Sequence, residues 1–559
     1  MVIKQAGING AADEKAAFEK ARAKNHPVKI RRFFIFALAV YFGFGIYLLT
    51  DYQHQINPDG VSYISIAQKY LQHNFSEALN GYWGPLFSWL LTLPLSLIAS
   101  PLLAAKILAL LIGALALFGI FRLSYRFEIP GFIRGVLLLA LIPVILRYAY
   151  GAITPDLLIA TTLIFYLVII FDPGYNRRQY HGWLGGALGS LSYLAKSFGL
   201  PFFVAHFVLF NGLHYLGSAT KIEKKTVIKN FIFGLGVFFL ISGSWIFLLS
   251  RKYDRLTFST AASYNAKIGR MGQHHTRMLI APTNPTAISG WEDPSYIQFE
   301  APTTADSAAG NAAAPTVSNL ISAWLPGWSR LRTNFHATIA VFKSFSVSAV
   351  IIIMAGLVYC GWAAKQRRQN VVLQTLLTIG LYSGGYMLII VEARYLQLTC
   401  FLLMLLAASL PGLFFKDQTS IFRRALITLA PILLLASFAL KPLRLLTIAQ
   451  APGKNLYALS VKLNNAGDLH GNIASDEQWV KTTCLAFLNN YKYYGATGRK
   501  PREALLAKLE QYNIDYYFVW DKDVEFDGGY KEITGGKIPH LKIYSLKEKL
   551  RERLVNASQ

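Results

Sequence analysis

Charged side chains beside long apolar runs are costly to keep near a membrane, so each is a candidate for chemistry. Asp59 stands in Asn57-Pro58-Asp59-Gly60, just beyond the first apolar run. At a helix N-terminus its carboxylate would be held ionised by the helix dipole and backbone donors. Such a carboxylate can take a proton from an acceptor hydroxyl. An Asp in this place also serves as an ordinary turn and helix cap, and the motif alone leaves both readings open. Asp51, at the end of the run, reads as structural. Asp156 follows Thr154-Pro155 and opens another run, where an acid can also simply complement the helix dipole. Arg147, just before it, can pair with it or contact a phosphate. Lys196, in Tyr193-Leu194-Ala195-Lys196-Ser197, ends a further run. A lipid-linked phosphate would account for it, since Lys binds phosphate as a point charge; snorkelling to headgroups would account for it too. Glu392-Ala393-Arg394-Tyr395 puts an acid and an arginine two apart between two late runs. They can hold a phosphate, which a guanidinium grips with two bonds, or merely each other.

Other motifs are weaker. His274-His275 has no third ligand at a metal-binding spacing, so a solvated loop is expected. Asp521-Lys522-Asp523 is like the acidic pair that binds metal–nucleotide in soluble sugar transferases, but it falls on the outer side in the topology below, and a turn is expected. No GxxxxGK[ST] phosphate loop occurs, which argues against an ATP-driven pump. Cys360, Cys400 and Cys484 form no CxxC or Cys/His pattern, so neither a zinc site nor a disulfide framework is suggested. A divalent metal stays open as a cofactor, with no ligand cluster evident.

The elements that must position these residues are membrane helices. Of 559 residues, 53% are apolar and only 15% charged, against roughly 25% charged in soluble domains. Disorder, collagen and a secreted disulfide scaffold are excluded, and a polytopic membrane protein remains. The net charge of +25 comes from basic residues clustered in short loops between apolar runs, as in cytoplasmic loops of membrane proteins. Nucleic acid is therefore not the expected partner.

Eleven spans are expected, at 33–50, 101–122, 132–147, 156–171, 182–196, 199–216, 229–249, 345–362, 371–390, 395–414 and 421–440. The six segments that this count puts inside hold 23 of the 55 Lys and Arg. The short outside segments 51–100, 148–155 and 391–394 hold only Lys69 and Arg394. That asymmetry sets an N-in, C-out topology. Residues 1–32 read as a cytoplasmic tail ahead of an uncleaved anchor, and 33–440 as the transmembrane domain. The outer loop 51–100 carries interfacial helices: one starting at Pro58, and one over Leu86–Ile98 behind Tyr82, Trp83 and Gly84. Trp291, Trp324 and Trp328, flanking the Ala/Thr/Pro/Gly-rich middle of loop 250–344, suit a headgroup layer. Composition then shifts toward charge and alternation. Residues 441–559 read as a small extracytoplasmic α/β domain, with a helix over 501–512, strands at Tyr516–Trp520 and Leu541–Tyr544, and a polar or frayed end from 546.

Taken in order, these features resemble the GT-C superfamily of membrane glycosyltransferases, and within it bacterial relatives of protein O-mannosyltransferases and the lipid A aminoarabinose transferase. The resemblance covers roughly residues 33–415 and rests on order and spacing rather than on an invariant string. Asp59 matches the family's catalytic first-loop Asp; Gly60 stands where Glu often follows. Pro85 matches the second proline of a frequent Pro-Pro-Leu, and Gly84 replaces the first. Asp156 matches the second-loop acid, Lys196 the lysine after the glycine-rich span, and Arg394-Tyr395 the late Arg-Tyr beside the lipid-phosphate pocket.

The resemblance implies a sugar donor on a polyprenyl phosphate, entering sideways from the bilayer. Lys196 and Arg394, with Tyr395 and Arg147, would bind the leaving phosphate. Asp59 and Asp156 would be catalytic, with inversion at the anomeric carbon. Tyr82, Trp83 and Glu392 are candidates for the acceptor side. The acceptor would be a glycan, a lipid or a protein, and the location the inner (plasma) membrane with the site facing outward. The rivals are a transporter or flippase for lipid-linked sugars and a glycan polymerase or ligase. A transporter predicts repeated halves and polar groups at mid-bilayer, and the sequence has neither an internal repeat nor many such groups.

Overall fold

The computed structural model describes residues 27–261, 328–362, 371–414, 421–448, 451–466, 469–497, 502–520, 526 and 529–547. Residues 1–26, His274-His275, Trp291, the 301–318 stretch, Trp324, Asp521-Lys522-Asp523 and the chain end after 547 lie outside the described residues.

Each of the eleven apolar segments read from the sequence holds a helix. They fall in α1 (Pro27–Tyr52), α5 (Pro101–Leu123), α6 (Gly131–Gly151), α7 (Asp156–Ile170), α8 (Tyr180–Ala195), α9 (Gly199–Gly217), α10 (Lys221–Lys252), α12 (Ala349–Trp362), α13 (Val371–Met387), α14 (Gln397–Phe414) and α15 (Ile421–Ile448). Among the described residues, seven helices are long and apolar enough to cross a membrane, or up to eight if a bent pair counts as one. The chain is a multi-pass membrane protein. Helices α7 and α13 are apolar but shorter. Helix α14 is the axis of the bundle: every residue from Gln397 to Pro411 is buried.

The first outer loop folds as expected into α2 (Pro58–Leu71), the short α3 (Phe75–Ala78) and α4 (Pro85–Leu97). Pro58, Pro85 and Pro101 each sit in the first turn of α2, α4 and α5, where a missing N–H costs nothing and the fixed φ suits a helix.

The end of loop 250–344 is not loop but a helix, α11 (Trp328–Phe345), bent by 102° from α12. Its Arg330, Arg332, His336 and Lys343 make it too polar to extend the span. The break is held by Ser346, Ser348 and Ser437, whose hydroxyls bond one another at 2.6–3.1 Å. Helix α15 also runs to Ile448, past the boundary at 440 read from the sequence.

Beyond it lie α16 (Lys454–Ala466), β1 (Asn472–Ser475), α17 (Trp479–Asn489), β2 (Lys492–Ala496), α18 (Arg502–Gln511), β3 (Tyr516–Val519), β4 (Lys531–Glu532) and β5 (Lys542–Ser545). The strands form one sheet in the order β2-β1-β3-β5-β4. The first three run parallel, and β5 pairs antiparallel with both β3 and β4. Separate apolar clusters form on its two faces: Ile473, Tyr493 and Phe518 belong to one, Ala474, Tyr494 and Tyr517 to the other.

Candidate active site

The first turn of α2 supplies Asp59. Its N-cap, Asn57, makes no cap bond to its own helix. Instead its Oδ1 accepts from the Ile153 amide at 2.8 Å, which ties the loop before Asp59 to the loop before Asp156. This leaves no room for a side chain at position 60: a Cβ on Gly60 would lie 2.8 Å from Ile153 Cβ. The Glu that often follows the catalytic Asp in the family is thereby sterically excluded from the present packing. Gly84 is explained in the same way. A Cβ there would come within 2.5 Å of the Ala195 carbonyl and 2.6 Å of the Leu194 carbonyl. The start of α4 therefore rests directly on the end of α8, beside Lys196.

Asp156 opens α7 and is 2% exposed. Lys196, the C-cap of α8, donates to its Oδ1 at 2.5 Å. Arg394 lies in the short 3-10 helix Ala393–Leu396 between α13 and α14. It donates from Nη1 to Asp59 Oδ2, from Nε to Glu392 Oε2 at 2.6 Å, and from Nη2 to the Tyr395 hydroxyl at 3.3 Å. Its Nε is 4.0 Å from Asp156 Oδ2. So Asp59 does not cap its helix; its carboxylate is spent on a guanidinium from the far end of the chain. Glu392 and Arg394 do hold each other, and Arg394 holds Asp59 as well. The cluster has one carboxylate more than it has cations.

Aromatic rings wall one side. The Lys196 ammonium sits 3.5 Å above the Tyr395 ring, a favourable place for a cation. Tyr395 stacks on Tyr386 at 5.2 Å, and Tyr386 on Phe198 at 3.8 Å. Tyr82, Trp83 and Tyr63 line the other side of the same cleft. Burial, then the Asp59 and Asp156 carboxylates, push the Tyr63 phenol well above its ordinary pKa, so it remains a protonated donor. The cleft between the ion pairs has only about 90 Å³ of free space.

The structure thus brings Asp59, Asp156, Lys196, Arg394, Tyr395, Tyr82 and Trp83 into one cleft, with Glu392 bonded to Arg394. Arg147 is not among the residues lining it. Its guanidinium folds back over Gly151, where a Cβ would meet Nη1 at 2.2 Å. Sequence reasoning missed Tyr63, Phe198 and Tyr386. Tyr382 and Tyr386, one turn apart near the end of α13, were a readable sign. It also missed Lys106, fully buried in α5, whose Nζ donates to Gln55 Oε1 and to the Tyr150 carbonyl at 3.1 Å. Among the described residues, no three His, Cys, Asp or Glu side chains gather to hold a metal ion.

The chain matches no protein family and no curated protein by sequence. Solved structures are similar to it in fold. The oligosaccharyltransferase of Archaeoglobus fulgidus in its apo form aligns with a TM-score of 0.51 at 13% identity, over 88% of this chain and 70% of the other. ArnT from Cupriavidus metallidurans bound to undecaprenyl phosphate aligns with a TM-score of 0.46 at 14% identity, over 92% of this chain and 98% of the other. The likeness to the Archaeoglobus fulgidus oligosaccharyltransferase is one of fold.

Proposed function

We propose that this protein is an integral membrane glycosyltransferase that moves a sugar from a polyprenyl-phosphate donor to an acceptor hydroxyl. In this reading all eleven helices are spans, the N-terminus is cytoplasmic, and the cleft opens on the extracytoplasmic side of a plasma membrane. The observation that carries the proposal is the cluster itself: two cations from separate elements, each paired to a different acid, at the ends of apolar helices. A half-buried cation pair beside a lipid-facing bundle suits a lipid-borne phosphate, and a carboxylate within the same cleft suits proton abstraction.

The reaction would run as follows. The donor phosphate takes Arg394 and Lys196 as counter-ions. Arg394 exchanges Asp59 for the phosphate, so the Asp59 carboxylate becomes free to act as base. The acceptor oxygen bonds to the anomeric carbon as the anomeric carbon–oxygen bond to phosphate breaks. The electron pair stays on the phosphate oxygen, and the acceptor proton passes to Asp59. Phosphate gains a negative charge as Asp59 loses one, so the cluster's total charge is unchanged. Lys196 and Arg394 then stabilise the leaving phosphate electrostatically. Asp156 holds Lys196 in place.

Surface glycans and glycolipids of wild type, a deletion strain and Asp59→Asn, compared by mass spectrometry, test this. Loss of the same single sugar in both mutants is expected, and its mass names the hexose or pentose. A deletion that loses a sugar while Asp59→Asn keeps it would defeat the assignment and favour a transporter.

A further inference from the structure

A second cavity lies along the other end of α2. It holds about 800 Å³, within the range of ligand sites. One wall is a face of α2: Ser65, Gln68, Lys69 and Gln72 fall at the spacing that puts residues on one helical stripe. The opposite wall comes from the C-terminal α/β region, with Tyr457 of α16, Phe487 of α17 and Asn490. Gln53, His54, Asn74, Glu77 and Ser100 add to the polar lining.

Three features define what fits. The first is amide density. Gln53, Gln68, Gln72, Asn74 and Asn490 each offer both a donor and an acceptor, which matches hydroxyl groups that also do both. The second is charge balance. Lys69, the only Lys or Arg among the described residues of the lining, is paired with Glu77 at 2.9 Å. A phosphate headgroup would find no spare cation among them. The third is flat apolar surface. His54 stacks on Tyr457 at 4.0 Å, and Phe487 lies beside them; ring faces of this kind pack against the C–H face of a sugar ring. In addition, Ser65 is fully buried, lines the cavity, and its Oγ has no hydrogen-bond partner among the described residues.

The geometry points to a saccharide-binding subsite here, one that holds the body of a neutral glycan acceptor whose terminal hydroxyl is used at Asp59. This rests on the glycosyltransferase reading above. Both sites are built on the same helix: Gln68 and Gln72 lie about 14 and about 20 Å along α2 from Asp59, at 1.5 Å per residue. At 100° per residue the Ser65–Gln72 stripe lies on a different face of α2 from Asp59 and Tyr63, so a monosaccharide cannot reach both sites and a chain of a few sugars reaches both by passing around the helix.

The test uses the full chain in nanodiscs, with neutral gluco-, manno- and galacto-oligosaccharides of increasing length as probes and calorimetry as readout. Wild type and Asp59→Asn are expected to bind the longer members of one series. Gln68→Ala/Gln72→Ala should bind about tenfold more weakly, the loss expected for two amide hydrogen bonds. The single variant Gln72→Ala, with unchanged thermal unfolding, serves if the double variant does not fold. Saccharide binding that is absent from wild type, or unchanged in the variants, overturns the subsite. So does Gln72-dependent binding of a peptide pool or of phosphatidylglycerol vesicles in its place. Titration of undecaprenyl phosphate into the same samples separates the two claims. If it binds through Arg394 while no saccharide binds, the subsite alone fails. If undecaprenyl phosphate does not bind, the donor reading fails, and Gln72-dependent saccharide binding still supports the cavity.

Discussion

Asp59→Asn separates a base that competes with the donor from one that merely sits beside it. In the cleft Asp59 is bonded to Arg394, and little free space remains between the ion pairs. In the proposed reaction a donor phosphate would therefore take Arg394 from Asp59. Hydrogen bonds to a charged group contribute up to about 3 kcal/mol net. Arg394 and Asp59 side chains are 33% and 24% exposed, so solvent screening lowers that to about 1–2 kcal/mol. Asparagine keeps the shape and removes the charge. Asp59→Asn should accordingly bind a polyprenyl phosphate about five- to thirtyfold more tightly than wild type. Sugar transfer should fall by about 10²–10⁴, the usual contribution of a general base. The assay is calorimetric or fluorescence titration of undecaprenyl phosphate into nanodisc-embedded protein, beside a transfer assay on the same samples. Weaker phosphate binding in Asp59→Asn would show that Asp59 orders Arg394 for the donor instead of competing with it, and the exchange step would be refuted. Retained transfer would remove Asp59 from catalysis altogether.

Other substitutions probe the packing around this exchange. Lys196→Met leaves Asp156, 2% exposed, with the Arg394 guanidinium 4.0 Å away in place of a bonded ammonium, and should lower stability by up to about 3 kcal/mol; adding Asp156→Asn should restore most of it in chemical unfolding, without restoring transfer. Gly60→Ala drives a Cβ to 2.8 Å from Ile153 Cβ and should cost about 1–3 kcal/mol of stability. Its transfer rate should drop by up to about a hundredfold through displacement of Asp59, and Ile153→Ala in the same chain should recover part of both. At the far end of α2, burial and then Lys454 lower the His54 pKa. Stability from the neutral ring is full above the unfolded value of about 6.5 and is lost as pH falls through the lower folded value. The protection of amides in 451–466, corrected for the intrinsic exchange rate at each pH, should therefore fall on acidification, and His54→Gln should flatten that dependence.

The acids and cations of the cleft were legible because each interrupts an apolar run at a helix end, where no packing rule requires a charge. Their partnerships were not legible. Arg394 and Asp59 are 335 residues apart, and no local pattern sets which acid meets which cation. Arg147 shows the same limit from the other side: its position at the end of α6 looked equivalent to the others, but Gly151 opens a space that draws its guanidinium back onto its own helix. The helices of the bundle were readable from apolar length alone. Helix α11 was not, since its charges look like those of a loop until they are seen lying across the bundle. In the C-terminal region α18, β3 and β5 stood out by alternation or helical spacing. Strands β1 and β2 did not: Asn472–Ser475 and Lys492–Ala496 are rich in Asn, Ala, Ser, Lys and Gly, which lack the strand preference of the Tyr, Phe and Val that fill β3.

The exchange at Arg394 requires that Asp59 stay in place when its cation leaves, and the loops behind it supply that constraint. Gln55 donates to the Gly151 carbonyl at 3.0 Å, and Lys106 bridges Gln55 and the Tyr150 carbonyl. Asn57 accepts from the Ile153 amide. Segments 55–57 and 150–153 are thus fastened side by side, and each runs directly into one of the two acids. Arg394 is absent from this fastening. Lys106, fully buried and without an ion pair among the described residues, contributes donors that hold the two segments. The pair of acids is therefore fixed by backbone that does not line the cleft, while the two cations come from the end of α8 and from the 3-10 helix between α13 and α14. In the proposed reaction such a division would let Asp59 trade a guanidinium for a proton with no movement of its helix, as a preorganised site requires.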